Sequence, residues 1–240
     1  TVFRQGGDTP FGDLLNQVRE GYLLDRARGE LNTRVDPSFE PPLDEFWLTL
    51  TTRNSAADRR NRRMLDRLPG SPEAFSALED GDMTGFERPA QDQVSYKTGA
   101  QVMMLTNDPA GRWVNGTLGK VGAHTYQDGS PWITTELADG QHVEVGPHTW
   151  DVTRPTVTAG RLHHELIGTY VQLPFRLAWA ITIHKSQGQT LARVVVDLTG
   201  GAFAYGQLYV ALSRCTSLRG LVLTKPVAPR DLQVDERIRR

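Results

Sequence analysis

Three short apolar runs in the last third of the chain constrain its fold more than any other feature. They read LAWAITI at 177–183, RVVVDL at 193–198 and GLVLTK at 220–225. A helix candidate, YGQLYVALSRCTS at 205–217, lies between the second run and the third. Continuous apolar strands joined by a helix are typical of a parallel sheet covered on both faces. The sequence therefore predicts an α/β domain.

Two helices and a strand are predicted upstream. Residues 9–21 form the first helix, because Pro10 suits a first turn and Gly21 can end a helix. A second helix is predicted at 55–68, where Ser55 can act as the N-terminal cap. The strand EFWLTLTT is expected at 45–52, and residues 22–44 are expected to be irregular.

The middle of the chain has a different character. Between 96 and 153 it alternates short strand-like runs with turn dipeptides, which are Asn115-Gly116, Asp128-Gly129 and Asp139-Gly140. This pattern predicts a small antiparallel barrel at 106–159. The barrel would be an insertion in one α/β domain made of residues 1–105 and 160–240.

Composition excludes some classes of protein. The formal net charge is −1, and the single Cys215 rules out an internal disulfide. Because the sequence has no run of about 18 apolar residues and no signal region, we expect a cytoplasmic chain without a membrane partner. The chain has 23 Arg against 4 Lys. Arg suits phosphate binding, although a GC-rich genome produces the same bias.

A polar loop follows the first apolar run, at the strand end where open parallel sheets bind ligands. It reads TIHKSQGQT at 182–190. Gly188 permits close backbone approach, and the neighbouring side chains offer hydrogen-bond donors suited to phosphates; these are Thr182, His184, Lys185, Ser186 and Gln187. The alternative is a polar loop that only caps the next segment.

Arg214 is a candidate functional residue at the end of the predicted YVALSR helix. It could simply interact favourably with the helix dipole, or it could act as an arginine finger on a transferring phosphoryl group. Arg4, in VFRQ, is a second candidate for the same role. The adjacent His163, His164 and Glu165 are not expected to share a metal ion, and no metal site is predicted in the chain.

These residues carry a resemblance to a known family. LPFRLAWAITIHKSQGQTL, followed by GQLYVALSRCTSLRGLVL, closely resembles motifs V and VI of the PIF- and RecD-like superfamily 1 DNA helicases. TVFRQGGDTPFGDLLNQVREG resembles motif IV and the helix after it. FWLTLTTRNSAADRRNRRMLDRL resembles the next strand, loop and helix, where Asn54 and Asn61 match. The resemblance covers nearly the whole chain.

The resemblance implies a RecA-like domain of the P-loop NTPase type with an SH3-like barrel inserted in it. The chain has no Gly-x-x-x-x-Gly-Lys-Ser/Thr phosphate loop and no initiator Met, so we expect a fragment that holds half of an active site. An N-terminal RecA-like domain would supply the phosphate loop and the Mg²⁺ ligands. ATP with Mg²⁺ would bind between the two domains, and movement along DNA would run 5′ to 3′.

The resemblance also assigns roles to single residues. Arg214 and Arg4 would reach the γ-phosphate of ATP. The nucleotide would be contacted by Gln5, Gln187, Gly188 and Thr190. Single-stranded DNA would be held by Arg53, Asn54, Thr182, His184, Lys185 and Ser186.

The predicted function is thus the C-terminal motor half of an ATP-dependent DNA helicase, in a bacterial cell and associated with the nucleoid. One alternative is a nucleic-acid-binding or partner-docking module that keeps the fold without hydrolysis. Another is a nuclease-associated subunit, as among RecD-like proteins.

Overall fold

The computed structural model describes residues 9–158, 161–199 and 204–232. The α-helices of this part are α1 (Thr9–Arg19), α2 (Asp25–Asn32), α3 (Asn54–Asp66) and α4 (Gln207–Leu212). The first seven strands are β1 (Leu48–Thr51), β2 (Glu73–Ser76), β3 (Leu78–Gly81), β4 (Gln93–Tyr96), β5 (Gln101–Met104), β6 (Leu118–Gln127) and β7 (Ser130–Leu137). The other strands are β8 (His142–Val145), β9 (His148–Thr158), β10 (Arg161–Gln172), β11 (Phe175–Leu177), β12 (Ala180–Thr182), β13 (Val194–Val196) and β14 (Leu221–Leu223).

The described residues divide into two compact units. The first contains 9–64, 179–199 and 204–232, and the second contains 65–158 and 161–178. The bounds expected for an inserted barrel, 106–159, lie inside the second unit and stay a prediction.

The first unit is built on a parallel sheet with the order β12-β1-β13-β14. β1 pairs with β12 on one side and with β13 on the other, and β13 pairs with β14, all in parallel. The predicted α/β class with a parallel sheet is therefore confirmed. All four strands are buried along their whole length, as expected for apolar runs that are covered on both faces.

The predicted helices 9–21 and 55–68 correspond to α1 and α3. In α1 the buried face consists of Phe11, Leu14, Leu15 and Val18, at helical spacing. The expectation that 22–44 is irregular was wrong, because α2 lies within it. Only Ala27 and Leu31 of α2 are buried, and two apolar positions one turn apart give too weak a periodicity to indicate a helix.

The run LAWAITI is not one strand, which corrects the sequence prediction. Leu177 ends β11, which pairs antiparallel with β5 in the second unit. The run resumes at Ala180 as β12 of the parallel sheet. A continuous apolar run shows that both halves are buried, but it does not show which neighbour each half pairs with.

The second unit contains antiparallel strands, as predicted for the middle of the chain. Its sheets have the orders β11-β5-β6-β7-β8, β3-β10-β9 and β2-β4. The five-stranded sheet is open in the described residues, since β11 and β8 are its two ends. The SH3-like barrel is therefore not confirmed. Asp128-Gly129 and Asp139-Gly140 lie in hairpins as predicted, between β6 and β7 and between β7 and β8, whereas Asn115-Gly116 lies in the longer connection between β5 and β6. Closure of a sheet depends instead on pairing of its end strands.

Within the described ranges, no helix is long and apolar enough to cross a membrane.

Candidate functional site

The candidate site lies at the carboxyl edge of the parallel sheet, where two loops from distant parts of the sequence meet. Thr51, the last residue of β1, is opposite Thr182, the last residue of β12. The backbone N–H of Ile183 donates to the carbonyl of Thr51 at 3.0 Å. The structure therefore brings Arg53 and Asn54, which follow β1, next to the loop at 182–190.

The turn at Arg53 is held by its own backbone. The carbonyl of Arg53 accepts from the Thr51 hydroxyl at 3.0 Å and from the N–H groups of Ala56 and Ala57 at 3.1 and 3.2 Å. This carbonyl links the end of β1 to the first turn of α3. The side chains of Arg53 and Asn54 are exposed, so both are available to a ligand.

The 182–190 loop begins as a short 3₁₀ turn, His184–Ser186. Ser186 is fully buried, and its hydroxyl donates to the carbonyl of Ile183 at 2.7 Å. The buried Ser186 side chain therefore stabilises the turn by this hydrogen bond. The turn in this way displays His184 and Lys185, which are exposed to solvent. Thr182, in contrast, is 7% exposed at the end of its strand.

The second half of the loop is more open. Gly188 has a φ of +86° and is exposed, and no atom lies within 4 Å of the position of an added Cβ. Glycine is favoured here by the left-handed backbone rather than by lack of space. Gln187 and Thr190 are also exposed. The predicted nucleotide-contacting residues of this loop are thus on an accessible surface.

Arg214 lies on the inner side of the same loop. Its guanidinium donates from Nε to the carbonyl of Val210 at 3.0 Å and from one terminal nitrogen to the Ser213 hydroxyl at 3.0 Å. The other terminal nitrogen is 3.4 Å from the carbonyl of Gln189 and 3.5 Å from that of Ser186. These contacts join the end of α4 to the 182–190 loop. The Arg214 side chain is buried there, with only 8% of the residue exposed.

The backbone reinforces this connection. The N–H of Leu191 donates to the carbonyl of Arg214 at 2.8 Å, and the N–H of Thr216 donates to the carbonyl of Leu191 at 3.0 Å. Cys215, between Arg214 and Thr216 in the sequence, is buried. Its burial is the main reason that the pKa of its thiol is raised. A thiol in this state is a packing group and not a nucleophile.

α4 is shorter than the sequence predicts. It ends at Leu212, so Arg214 lies two residues beyond the helix. Ala211 and Leu212 are fully buried, as their apolar character predicted.

Two predicted site residues, Arg4 and Gln5, lie outside the described residues. No group of three or more His, Cys, Asp or Glu side chains that could hold a metal ion occurs in the described ranges.

Sequence reasoning gave no role to Asn61. This residue of α3 is 9% exposed and forms two hydrogen bonds with the backbone of Ala180, in β12. Its only sequence signal was a match to the helicase pattern, because a buried polar residue on a helix otherwise resembles an ordinary surface residue.

Comparison with known proteins identifies relatives of the chain. No protein-family profile matches it. It is 33% identical over 236 residues to the ATP-dependent DNA helicase Pif1 of Bdellovibrio bacteriovorus, covering 96% of the chain and 50% of that protein. It is 37% identical over 227 residues to the ATP-dependent DNA helicase PIF1 of Homo sapiens, covering 92% of the chain and 33% of that protein. The chain thus spans half or less of these relatives' length.

Solved structures agree with these relatives. Unliganded Pif1 from Bacteroides sp has a TM-score of 0.86 at 28% identity, covering 98% of the chain and 54% of that protein. Bacteroides sp Pif1 in complex with ADP-AlF4 has a TM-score of 0.84 at 28% identity, covering 100% of the chain and 54% of that protein. Bacteroides Pif1 bound to single-stranded DNA has a TM-score of 0.72 at 28% identity, covering 99% of the chain and 53% of that protein. The chain belongs to the Pif1-like helicases and corresponds to their C-terminal half.

Proposed function

We propose that this chain is the C-terminal motor half of an ATP-dependent DNA helicase. The observation that carries the proposal is the continuity of one loop. Its first part, 182–186, follows the strand end beside Arg53, and its second part, 187–190, is tied to Arg214. A DNA-contacting surface and a nucleotide-contacting surface on one short loop could not move independently. Curated relatives named ATP-dependent DNA helicases support this reading.

On the DNA side, the proposed grip consists of Arg53, Asn54, Thr182, His184, Lys185 and Ser186. Exposed Lys185 and Arg53 supply positive charge that can pair with backbone phosphates. Buried Ser186 would act by holding the turn that displays Lys185. The single-stranded DNA complex of a structural neighbour supports this partner.

On the nucleotide side, Arg214 and Arg4 would contact the γ-phosphate, and Gln5, Gln187, Gly188 and Thr190 would contact the nucleotide. Arg214 would have to leave the carbonyls of Gln189 and Ser186 to reach a phosphate. Mg²⁺ and the phosphate loop would come from an N-terminal RecA-like domain. The ADP-AlF4 complex of a structural neighbour supports nucleotide use. A cytoplasmic, nucleoid-associated location in bacteria belongs to the same proposal.

The test is Lys185→Ala in the full-length protein, with single-stranded DNA affinity measured across a salt series. Loss of one phosphate contact should weaken binding equally for different sequences and reduce the slope of log affinity against log salt by about 0.7. Lys225→Ala, at a partly buried lysine outside the proposed grip, is the control and should change neither quantity. Unchanged affinity and slope in Lys185→Ala would remove Lys185 from the DNA path.

A non-catalytic nucleic-acid-binding module is the second candidate. It is favoured by the burial of Arg214 and by its hydrogen bonds to the chain's own carbonyls. The two candidates share the DNA grip and differ in ATP hydrolysis. DNA-stimulated ATPase activity of the full-length protein therefore distinguishes them.

A further inference from the structure

Asn61 of α3 makes a two-point contact with a strand backbone. Its side-chain nitrogen donates to the carbonyl of Ala180 at 2.9 Å, and its side-chain oxygen accepts from the N–H of Ala180 at 2.8 Å. Ala180 is 1% exposed, so water does not substitute for this contact. Both distances are those of well-formed hydrogen bonds.

The position of Ala180 in the sheet explains why such a contact is needed. Among the described strands, β12 stands at one end of the parallel sheet, next to β1. On that side, the carbonyl of Trp179 and the N–H of Ile183 bond to β1. Successive residues of a strand direct their backbone groups to opposite sides, so the groups of Ala180 are directed away from β1. Asn61 thus bonds to the edge of β12 with which no described strand pairs.

The same helix is also joined to the other proposed DNA-contacting loop. α3 begins at Asn54, and its first turn is bonded to the carbonyl of Arg53. β12 ends at Thr182 and leads directly into the turn that displays Lys185. One helix therefore connects Arg53 at its start with the strand that precedes Lys185.

We propose that Asn61 is a positioning residue for the single-stranded DNA grip. By holding α3 against β12, it fixes the spacing between the Arg53 turn and the 182–186 turn, so that both can meet successive phosphates of one strand. Asn61 itself does not contact DNA. The inference rests on the proposed function, because it requires Lys185 to be a DNA contact.

The experiment is a double-mutant cycle in the full-length protein, with Asn61→Leu, Lys185→Ala and the double variant measured for single-stranded DNA affinity. Leucine is similar in size to asparagine but makes neither hydrogen bond. We expect Asn61→Leu to weaken binding about tenfold, which is the size of losing one hydrogen bond to a charged group. The Lys185→Ala effect should largely disappear in the Asn61→Leu background, because Lys185 is already misplaced there.

Met64→Ala is the matched control, since Met64 is fully buried on the same helix and its side chain has no amide group. It should lower the melting temperature without changing DNA affinity. If Asn61→Leu does not fold, Asn61→Asp replaces it in the cycle. Aspartate retains the acceptor for the Ala180 N–H but loses the donor to the Ala180 carbonyl. Additive effects of the two substitutions overturn the positioning role. If Lys185→Ala alone has no effect on binding, the proposed DNA grip itself fails, and the role of Asn61 fails with it.

Discussion

Substitution of Arg214 gives the sharpest test of the proposed nucleotide-contacting side of the site. We predict two separate effects of Arg214→Ala. The first is on stability, because the guanidinium makes two hydrogen bonds of 3.0 Å, to Val210 and Ser213. Hydrogen bonds of charged groups contribute about 1.5 kcal/mol or more each, so the free energy of unfolding should fall by about 3 kcal/mol. The contacts at 3.4 and 3.5 Å add little.

The second effect is on turnover. An arginine finger increases the turnover rate by a factor of about 10³ to 10⁵, because it stabilises charge that develops during phosphoryl transfer. Nucleotide affinity should change much less than turnover. Arg214→Lys keeps the charge but loses the planar fork, so it should restore only part of the activity. Both ATPase turnover and nucleotide affinity should be measured in the full-length protein, well below its melting temperature.

Ser213→Ala separates the two effects. It removes one hydrogen-bond partner of Arg214 and leaves the guanidinium in place. We expect a lower melting temperature and a turnover that is close to that of the parent protein. If Arg214→Ala folds and its turnover also stays within a few-fold of the parent, Arg214 is only a structural tie between α4 and the 182–190 loop. The catalytic assignment would then be wrong.

Two further predictions concern the chain by itself. The purified 240-residue chain should not hydrolyse ATP, because it contains no phosphate loop, and DNA-stimulated ATPase activity from it would contradict the division of the active site into two halves. Asp108 accepts two hydrogen bonds from the Arg112 side chain. These bonds are the main reason that the pKa of the Asp108 carboxyl is lowered to about 2. Since this pKa is lower in the folded protein than in the unfolded chain, the stability it contributes is present above about pH 4 and is lost as the pH falls towards 2. Asp108→Asn should therefore lower the melting temperature at pH 7 and have little effect near pH 2, and an equal loss at both pH values would contradict the role of the charge.

The sequence by itself determined which segments are buried and which residues are available for chemistry. Continuous β-branched and aliphatic runs at 193–198 and 220–225 predicted the parallel strands β13 and β14, because such runs are stable only when both faces are covered. The helix at α1 followed from the spacing of its apolar residues. The polar residues after Ile183 identified the loop at 182–190, since hydrogen-bonding groups directly after a buried strand require a partner.

Only the tertiary structure decided which of these segments are neighbours. β1 lies between β12 and β13, which places Arg53 beside the 182–190 loop although about 130 residues separate them in the sequence. The run LAWAITI divides between two sheets, and the five-stranded sheet is open in the part of the chain that the structure describes. Arg214 is buried against carbonyls, and Asn61 completes the edge of β12. Local propensity acts over a few residues, whereas strand order, sheet closure and the partners of buried polar groups depend on contacts between distant segments.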